Sequence, residues 1–401
     1  MEPFRILTFN QIAAAGLARF DAGPYRVGPD EARPDAILLR SHELRVDAIA
    51  ACVKAIARAG AGTNNIPVAE MSRRGVPVFN APGANANAVK ELVLAGLLLA
   101  ARNLVPALGF VAALPRDAVD YEKRVEGGKK QFAGVELARR TLGVIGLGAI
   151  GSLVADAAIK LGMDVVGYDP ELTVDAAWRL PATLRKAVSV EDVLRQADFV
   201  TLHVPLLEAT RGLVGERRLK LMRAGAVLLN FSRDGIVDEG AARAALQDGR
   251  LKAYVCDFPS PALAATAGAV ALPHLGASTD EAEENCAVMV ADRLRDFLEN
   301  GTVHHAVNFP DVEMPRGAPD RLAIANANVP NMLGQISTAL ARSGLNIHDM
   351  VNKSRGEIAY TLVDVDSAVN DAVLRALGAI DGVLSVRLLP RPDELAPDPG
   401  S

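Results

Sequence analysis

The run Gly146-Leu147-Gly148-Ala149-Ile150-Gly151 is the sharpest chemical motif in the chain; it follows an apolar segment at 142–146 and opens a helix-period stretch at 150–161. In such a turn the first glycine permits the bend, the second lets main chain approach a pyrophosphate, and the third lets helix and strand pack closely. The helix N-terminus adds free N–H groups and the positive end of a dipole. Asp169 ends the next apolar run, VVGYD, near the ~20-residue offset at which a carboxylate accepts both ribose hydroxyls. Its charge repels a 2′-phosphate, so NAD is expected rather than NADP. Arg233 in LLNFSRDG and His274 in LPHLGAST each follow a late apolar run, at 226–230 and 269–272. A guanidinium can grip a carboxylate through two parallel bonds, and an imidazole titrates near neutrality. Oxidising a hydroxyl carbon by hydride transfer needs both: a base for the hydroxyl proton, and a cation that holds an acid group and polarises the nascent carbonyl.

The elements that must position these groups follow an α/β rhythm. Short apolar runs (RILTF, 36–39, 53–57, 76–79) alternate with stretches of helical period such as 46–54 and 86–102, and a second series runs through 142–146, 164–168, 198–202, 226–230 and 253–257. The helical stretch 280–300 comes after the second series has run out of strands, so it is expected to carry the chain back to the first. A stretch with three prolines and no periodicity, NFPDVEMPRGAP, reads as a linker. Beyond it the order is β-α-β-β-α-β over 321–329, 332–342, 345–351, 357–364, 370–380 and 383–389. The expected fold class is α/β: two Rossmann- or flavodoxin-like doubly wound parallel-sheet domains and a C-terminal ferredoxin-like module. Residues 1–101 with 282–308 would form a discontinuous substrate domain, 102–281 the nucleotide domain, 309–320 a linker, 321–392 the small module and 393–401 a disordered tail.

Composition limits the partners. The 401 residues are half hydrophobic, with 43 basic and 48 acidic side chains for a net charge of −5. No basic surplus exists to neutralise nucleic acid or an anionic membrane surface. Cys52, Cys256 and Cys286 are scattered without a metal-ligand or disulfide spacing, so no metal and a reducing cytoplasm are expected. The opening MEPFRILTFN lacks an apolar leader core, and the apolar stretch 92–101 is about half of the ~20 residues that span a bilayer.

In order along the chain, GLGAIG, YDP, HVPLLEATRGLV, LLNFSRDGIVDEGA and PHLGAST resemble the D-isomer-specific 2-hydroxyacid dehydrogenases. LLRSHEL, IARAGAGTNNI and VFNAPGANANAVKELVLAGLL are similar to the substrate domain of the branch that acts on D-3-phosphoglycerate, and the likeness covers residues 36–390. The resemblance implies NAD-dependent oxidation of D-3-phosphoglycerate to 3-phosphohydroxypyruvate, the first step of L-serine biosynthesis. Hydride would leave C2, with His274 as acid and base and Arg233 holding the carboxylate. It assigns cofactor contacts to Gly146, Gly148, Ala149, Ile150, Gly151, Asp169, Val204, Phe231, Ser232, Asp257, Gly276 and Ala277, and substrate contacts to Arg40, Arg58, Gly60, Gly62, Lys129 and Lys130. The alternatives are a dehydrogenase or reductase for another 2-hydroxy acid, such as 2-hydroxyglutarate or glyoxylate, or an NADH-binding sensor or repressor without turnover.

Two departures stand out. The family usually carries D-V-F-x-x-E-P, whose glutamate bonds the histidine, whereas here Asp257 is followed by FPSPALAA. Either Asp257 or Glu281 substitutes, or the histidine works alone, or activity is reduced. Asp234 also stands where glycine is usual beside the arginine. The module at 321–390 resembles an ACT domain, with effector contacts falling on Asn326, Asn328 and Asn346; Asn326 replaces a histidine and Asn331 a glycine. The resemblance implies L-serine as a possible effector. The open edge strands of such a sheet favour pairing with another copy, so a homodimer or homotetramer is expected.

Overall fold

The computed structural model describes residues 2–20 and 23–395. The chain divides into two compact units, Met1–Asn85 with Asp280–Ser401, and Ala86–Thr279.

In the first unit a parallel sheet is built from β1 (Phe4–Thr8), β2 (Tyr25–Gly28), β3 (Ala36–Leu39), β4 (Ala55–Arg58) and β5 (Val78–Phe79), in the order β2-β1-β3-β4-β5. Every residue of β3 is buried, as its unbroken AILL run requires of a strand covered on both faces. The helix expected at 46–54 is reduced to a 3-10 turn, Val46–Ala48, and the short edge strand β2 is additional to the elements read from the sequence. Helix Asp280–Asn300 buries Cys286, Val290, Leu294 and Phe297 in the same core as Ile6, Leu38 and Phe79. Gly16 lies so near it that a Cβ there would stand 2.5 Å from the Ala287 Cβ.

The proline-bearing stretch read as a linker is packed: Phe309 and Val312 are fully buried, Met314 and Ala318 nearly so, and Val312 bridges Val303. Prolines abolish the periodicity that marks regular elements, but they do not keep apolar side chains out of a core. The chain then forms the expected βαββαβ order, with β13 (Asp320–Ala327), β14 (Ile347–Arg355), β15 (Ile358–Val365) and β16 (Val383–Leu389) antiparallel in the order β14-β15-β13-β16. The expected tail includes a helical turn at Pro392–Leu395, while residues 396–401 lie outside those described.

The second unit carries a parallel sheet of β6 (Thr141–Ile145), β7 (Asp164–Tyr168), β8 (Arg185–Lys186), β9 (Phe199–Leu202), β10 (Ala226–Asn230), β11 (Leu251–Cys256) and β12 (Ala269–Ala271), ordered β12-β11-β10-β9-β6-β7-β8. The strand order reverses beside β6, so a crevice opens at the carboxyl ends of β6 and β9. Helices Ala86–Ala101 and Leu104–Ala113 meet at a 66° bend. Among the described residues no single helix is long and apolar enough to cross a membrane.

One buried ion pair fastens the small module. Arg321 and Asp364 are both essentially unexposed, with Nε 2.6 Å from the carboxylate. Arg321 also donates to the carbonyls of Asn300, Met314 and Pro315, and Asp364 accepts from the Gly317 N–H. Burial works to raise the Asp364 carboxyl, but the guanidinium and that N–H hold it below the usual range. Removing one partner strands a buried charge, which costs about 3–5 kcal/mol, whereas replacing both by apolar groups is close to neutral. Arg321→Met should therefore lose about 3 kcal/mol or more in urea unfolding, and adding Asp364→Leu should recover only the part due to the stranded charge, since the Asn300, Met314 and Pro315 carbonyls and the Gly317 N–H stay without these partners.

Candidate active site

The glycine loop shows its three roles as distances. Gly146 has a positive φ of 90°, and a Cβ there would sit 2.4 Å from the His203 carbonyl oxygen. At Gly151 a Cβ would lie 1.9 Å from the Gly146 carbonyl oxygen, a main-chain collision that no side-chain motion relieves. Around Gly148, the N-cap of helix Ala149–Lys160, nothing stands within 4 Å of a Cβ. The N-terminus of that helix thus faces open space, as an anion site requires.

Asp169 closes the base of this loop. Its carboxylate accepts the Leu147 N–H at 2.8 Å and the Glu171 N–H at 2.9 Å, which uses two of about four acceptor positions. Beside it a cavity of about 780 Å³ is lined by Tyr168, Pro170, Leu172, Trp178 and Val188. A mostly apolar cleft with a carboxylate at its rim suits a purine nucleoside. At the end of β9, burial pushes the His203 imidazole down to about 3, and its Nε2 lies 3.0 Å from the Thr201 hydroxyl. It is a neutral structural group, and Val204 follows it at the crevice.

The turn after β10 is tied by the buried Asn230, whose side chain accepts from the Ser232 N–H and donates to the Arg233 carbonyl. The Ser232 hydroxyl donates to the Leu202 carbonyl, and Arg233 Nη1 donates to the Ser232 carbonyl at 2.6 Å. Arg233 is thus presented at the surface on a rigid turn. Asp234 turns its carboxylate to its own neighbour, the Gly235 N–H, and forms no ion pair with Arg233. Phe231 is a core residue: its ring packs against Gly96 of helix Ala86–Ala101, so main chain is what it offers a ligand.

Asp257, at the end of β11, is 2% exposed, and neither carboxylate oxygen has a hydrogen-bond partner. Burial pushes its pKa up to about 6, moderated by its own backbone and by the Arg233 charge. With both oxygens unbonded, Asp257 does not supply the hydrogen bond that the absent glutamate would give His274. The loop instead sets the Phe258 ring against the imidazole, centroids 4.5 Å apart. Gly276 is buried near Asp257, where a Cβ would be 3.9 Å from Oδ2 and 3.3 Å from Val89. Ala277 adjoins it. Lys129 and Lys130 lie on a 3-10 turn, with Lys129 paired to Glu126 at the surface.

In the first unit Arg58 ends β4 and donates to the Arg40 carbonyl at 3.0 Å and the Gly62 carbonyl at 2.7 Å. Gly60 leaves room for it, since a Cβ there would meet Arg58 Nη1 at 2.7 Å. Asn65 donates to the carbonyls of Arg40 and His42, and Asn10 accepts from Ser41 and His42. Arg40 is held by Glu283 on helix Asp280–Asn300. None of Asn10, Asn65, Phe258 or Glu283 was singled out from the sequence; Glu283 lies 243 positions from Arg40, and only the fold relates them.

In the small module, Asn326 and Asn328 line a cavity of about 210 Å³. The buried Asn326 Oδ1 has no hydrogen-bond partner. Asn346 lies apart from them: it precedes β14 and bonds to Asp366, beyond the Val365 end of β15, whereas Asn328 bonds to Gly356 and Glu357 at the other end. Among the described residues no group of three or more His, Cys, Asp or Glu could hold a metal ion.

Residues 108–276 match the family model described as D-isomer specific 2-hydroxyacid dehydrogenase, NAD binding domain. The chain is 34% identical over 342 residues to the D-3-phosphoglycerate dehydrogenase of Haemophilus influenzae, covering 82% of this chain and 79% of that protein. It is 36% identical over 320 residues to the enzyme of that name from Methanocaldococcus jannaschii, covering 78% of this chain and 57% of the other. Its fold is similar to the NAD+-bound 3-phosphoglycerate dehydrogenase of Entamoeba histolytica, with a TM-score of 0.60 at 23% identity over 76% of this chain and 98% of that one.

The orphaned Asp257 has a measurable signature. Its raised pKa means the folded state prefers the protonated acid. No penalty exists below about pH 4, and it accumulates as pH rises to about 6 and is constant above. A shift from 3.8 to about 6 corresponds to about 3 kcal/mol. Asp257→Asn should therefore melt higher than the parent at pH 8, with the gap closing between pH 6 and 4 in a thermal-melt series.

Proposed function

The chain belongs to the D-isomer-specific 2-hydroxyacid dehydrogenase family, and from that premise we propose that it oxidises D-3-phosphoglycerate to 3-phosphohydroxypyruvate, the first step of L-serine biosynthesis, in the cytoplasm. It is an NAD-dependent oxidoreductase acting on a small-molecule substrate. The observation that carries the reading is the rigid turn that presents Arg233 beside the buried, unsatisfied Asp257 on neighbouring strand ends of a nucleotide-binding sheet.

The residues present fit NAD. Gly148 and the helix behind it would hold the pyrophosphate, Asp169 the ribose, and the apolar cleft beside it the purine. Asp257, with two bare acceptors, suits the amide donors of a carboxamide. Bound NAD supplies the acceptor for the hydride that leaves C2. Arg233 holds the substrate carboxylate and the C2 oxygen, stabilising the charge that develops there. His274 takes the hydroxyl proton, and the Phe258 ring against it limits its orientation. Within the first unit, Arg58 and Arg40 are the candidate substrate contacts, with Gly60 clearing the space around the Arg58 guanidinium. Free thiols at Cys52, Cys256 and Cys286 accord with a reducing compartment.

Arg233→Ala should lower turnover about a thousandfold, while NADH affinity, read from quenching of the single tryptophan Trp178 in the cleft, stays within about threefold. Phosphoglycerate oxidation that survives this change would sink the assignment. Initial rates on D-3-phosphoglycerate, 2-hydroxyglutarate and glyoxylate decide the substrate, and tight NADH binding with no turnover on any acid would mark a sensor.

We further propose that the module at 321–390 binds L-serine and pairs with a second copy, making the protein a homodimer or homotetramer. The bare Asn326 Oδ1 at a small cavity favours a ligand with an ammonium donor. With Asn346 at the other end of the sheet, one site using all three asparagines would take it from the second copy, across the open edge of β14. Serine at millimolar concentration should raise the melting temperature by about 2 °C or more and slow turnover, and Asn346→Ala should abolish both effects. No change in either would leave pairing as the module's only role.

A further inference from the structure

A cavity of about 250 Å³ lies in the first unit where β16 meets the turn at 49–54 and the turn at 74–76. It is lined by three cations, Lys54, Arg74 and Arg387, and among the described residues no carboxylate lines it. Each cation already has partners, among them the lining residues Phe297 and Tyr360 beside Arg387. Lys54 Nζ is 2.7 Å from Asp35. Arg74 Nε donates to Glu70 at 3.1 Å, and Nη1 donates to the Ile49 carbonyl at 3.2 Å. The Arg387 guanidinium stacks 3.9 Å over the Phe297 ring and donates to the Phe297 carbonyl at 3.0 Å. Two carboxylates therefore answer three cations, and the space keeps a positive charge.

Gathering like charges around one recess is unfavourable until an anion shares them. Each guanidinium carries five donors, more than these contacts use. The recess has room for a molecule of a few heavy atoms and is smaller than a drug-sized pocket. At its edge the two walls already touch: a Cβ on Gly75 would stand 2.9 Å from the Leu384 Cβ, and the Ser385 hydroxyl donates to the Gly75 carbonyl. A ligand held from both walls would tie them together. None of these residues belongs to the substrate, cofactor or serine sites described above.

We propose that this recess binds a compact dianion, a phosphate or a pair of carboxylates on a small molecule, through Lys54, Arg74 and Arg387, and so couples the antiparallel sheet to the parallel sheet of the same unit.

The test uses the full chain with inorganic phosphate and malonate as probes, at constant ionic strength maintained with chloride. Cys52 is exposed on the lining while Cys256 and Cys286 are buried, so alkylation of Cys52 by an uncharged maleimide reports occupancy directly. At about 10 mM, at least one probe should slow labelling threefold or more and raise the melting temperature by about 2 °C. Lys54→Gln and Arg387→Gln should each abolish the protection of Cys52, and Arg58→Gln should leave it intact. Lys54 is partly exposed, so its variant keeps the test decisive if Arg387→Gln fails to fold. Protection by phosphate alone identifies a phosphorylated ligand, and protection by malonate identifies a dicarboxylate. Labelling unchanged by either probe, protection that persists in Lys54→Gln, or protection lost in Arg58→Gln would overturn the proposal.

Discussion

The second unit rests on one main-chain contact. Because the position of a Cβ on Gly151 falls 1.9 Å from the Gly146 carbonyl oxygen, only glycine lets helix Ala149–Lys160 start where it does. That start brings the helix N-terminus to the carboxyl end of β6, beside the point where strand order reverses. Asp169 then reaches back from β7 to the Leu147 N–H and fixes the loop from below. The anion-accepting end of this helix is thus set by how closely two stretches of backbone approach.

Two carboxylates at strand ends of this sheet meet opposite environments. Asp169 accepts two N–H groups at a half-exposed position, where a charge is readily accommodated. Asp257 is buried with bare oxygens, a condition that opposes ionisation and is sustained only because the surrounding strands hold it. An unsatisfied buried group is rare in a native fold and calls for a specific explanation. The Arg233 turn shows the converse arrangement: Asn230 and Ser232 satisfy its main chain and leave the guanidinium displayed.

What the sequence discloses follows the range of the interactions involved. The strand-end positions of the glycine loop, Asp169, Arg233 and His274 are legible because each follows a strand whose apolar run is local. The βαββαβ module is legible for the same reason. β2 and β8 are not, being short edge strands of four and two residues that leave almost no pattern. The stretch at 309–318 looks like a linker because its prolines suppress periodicity, yet Phe309 and Val312 are core residues. Arg40 is read from the sequence as a substrate contact, and its pairing with Glu283 is visible only in the fold. The orphan state of Asp257 has no sequence counterpart, since it depends on the donors that fail to reach it.

The Arg321 guanidinium shows how the small module and the rest of its unit share one mechanical state. It is bonded at once to Asp364 on β15, to the carbonyls of Met314 and Pro315, and to the Asn300 carbonyl that ends helix Asp280–Asn300. A shift of β13 against any of these partners would leave a buried charge or a buried carbonyl without its bond, at a cost of several kcal/mol. Small displacements are therefore resisted, and larger ones must carry the whole set together. Arg387 reinforces this from the other side by stacking on Phe297 of the same helix while sitting on β16. Both arginines thus fasten the antiparallel sheet to helix Asp280–Asn300, and the same helix holds Arg40 through Glu283. The module and Arg40 are thus linked through buried polar contacts of Arg321, helix Asp280–Asn300 and a part-exposed ion pair at Glu283.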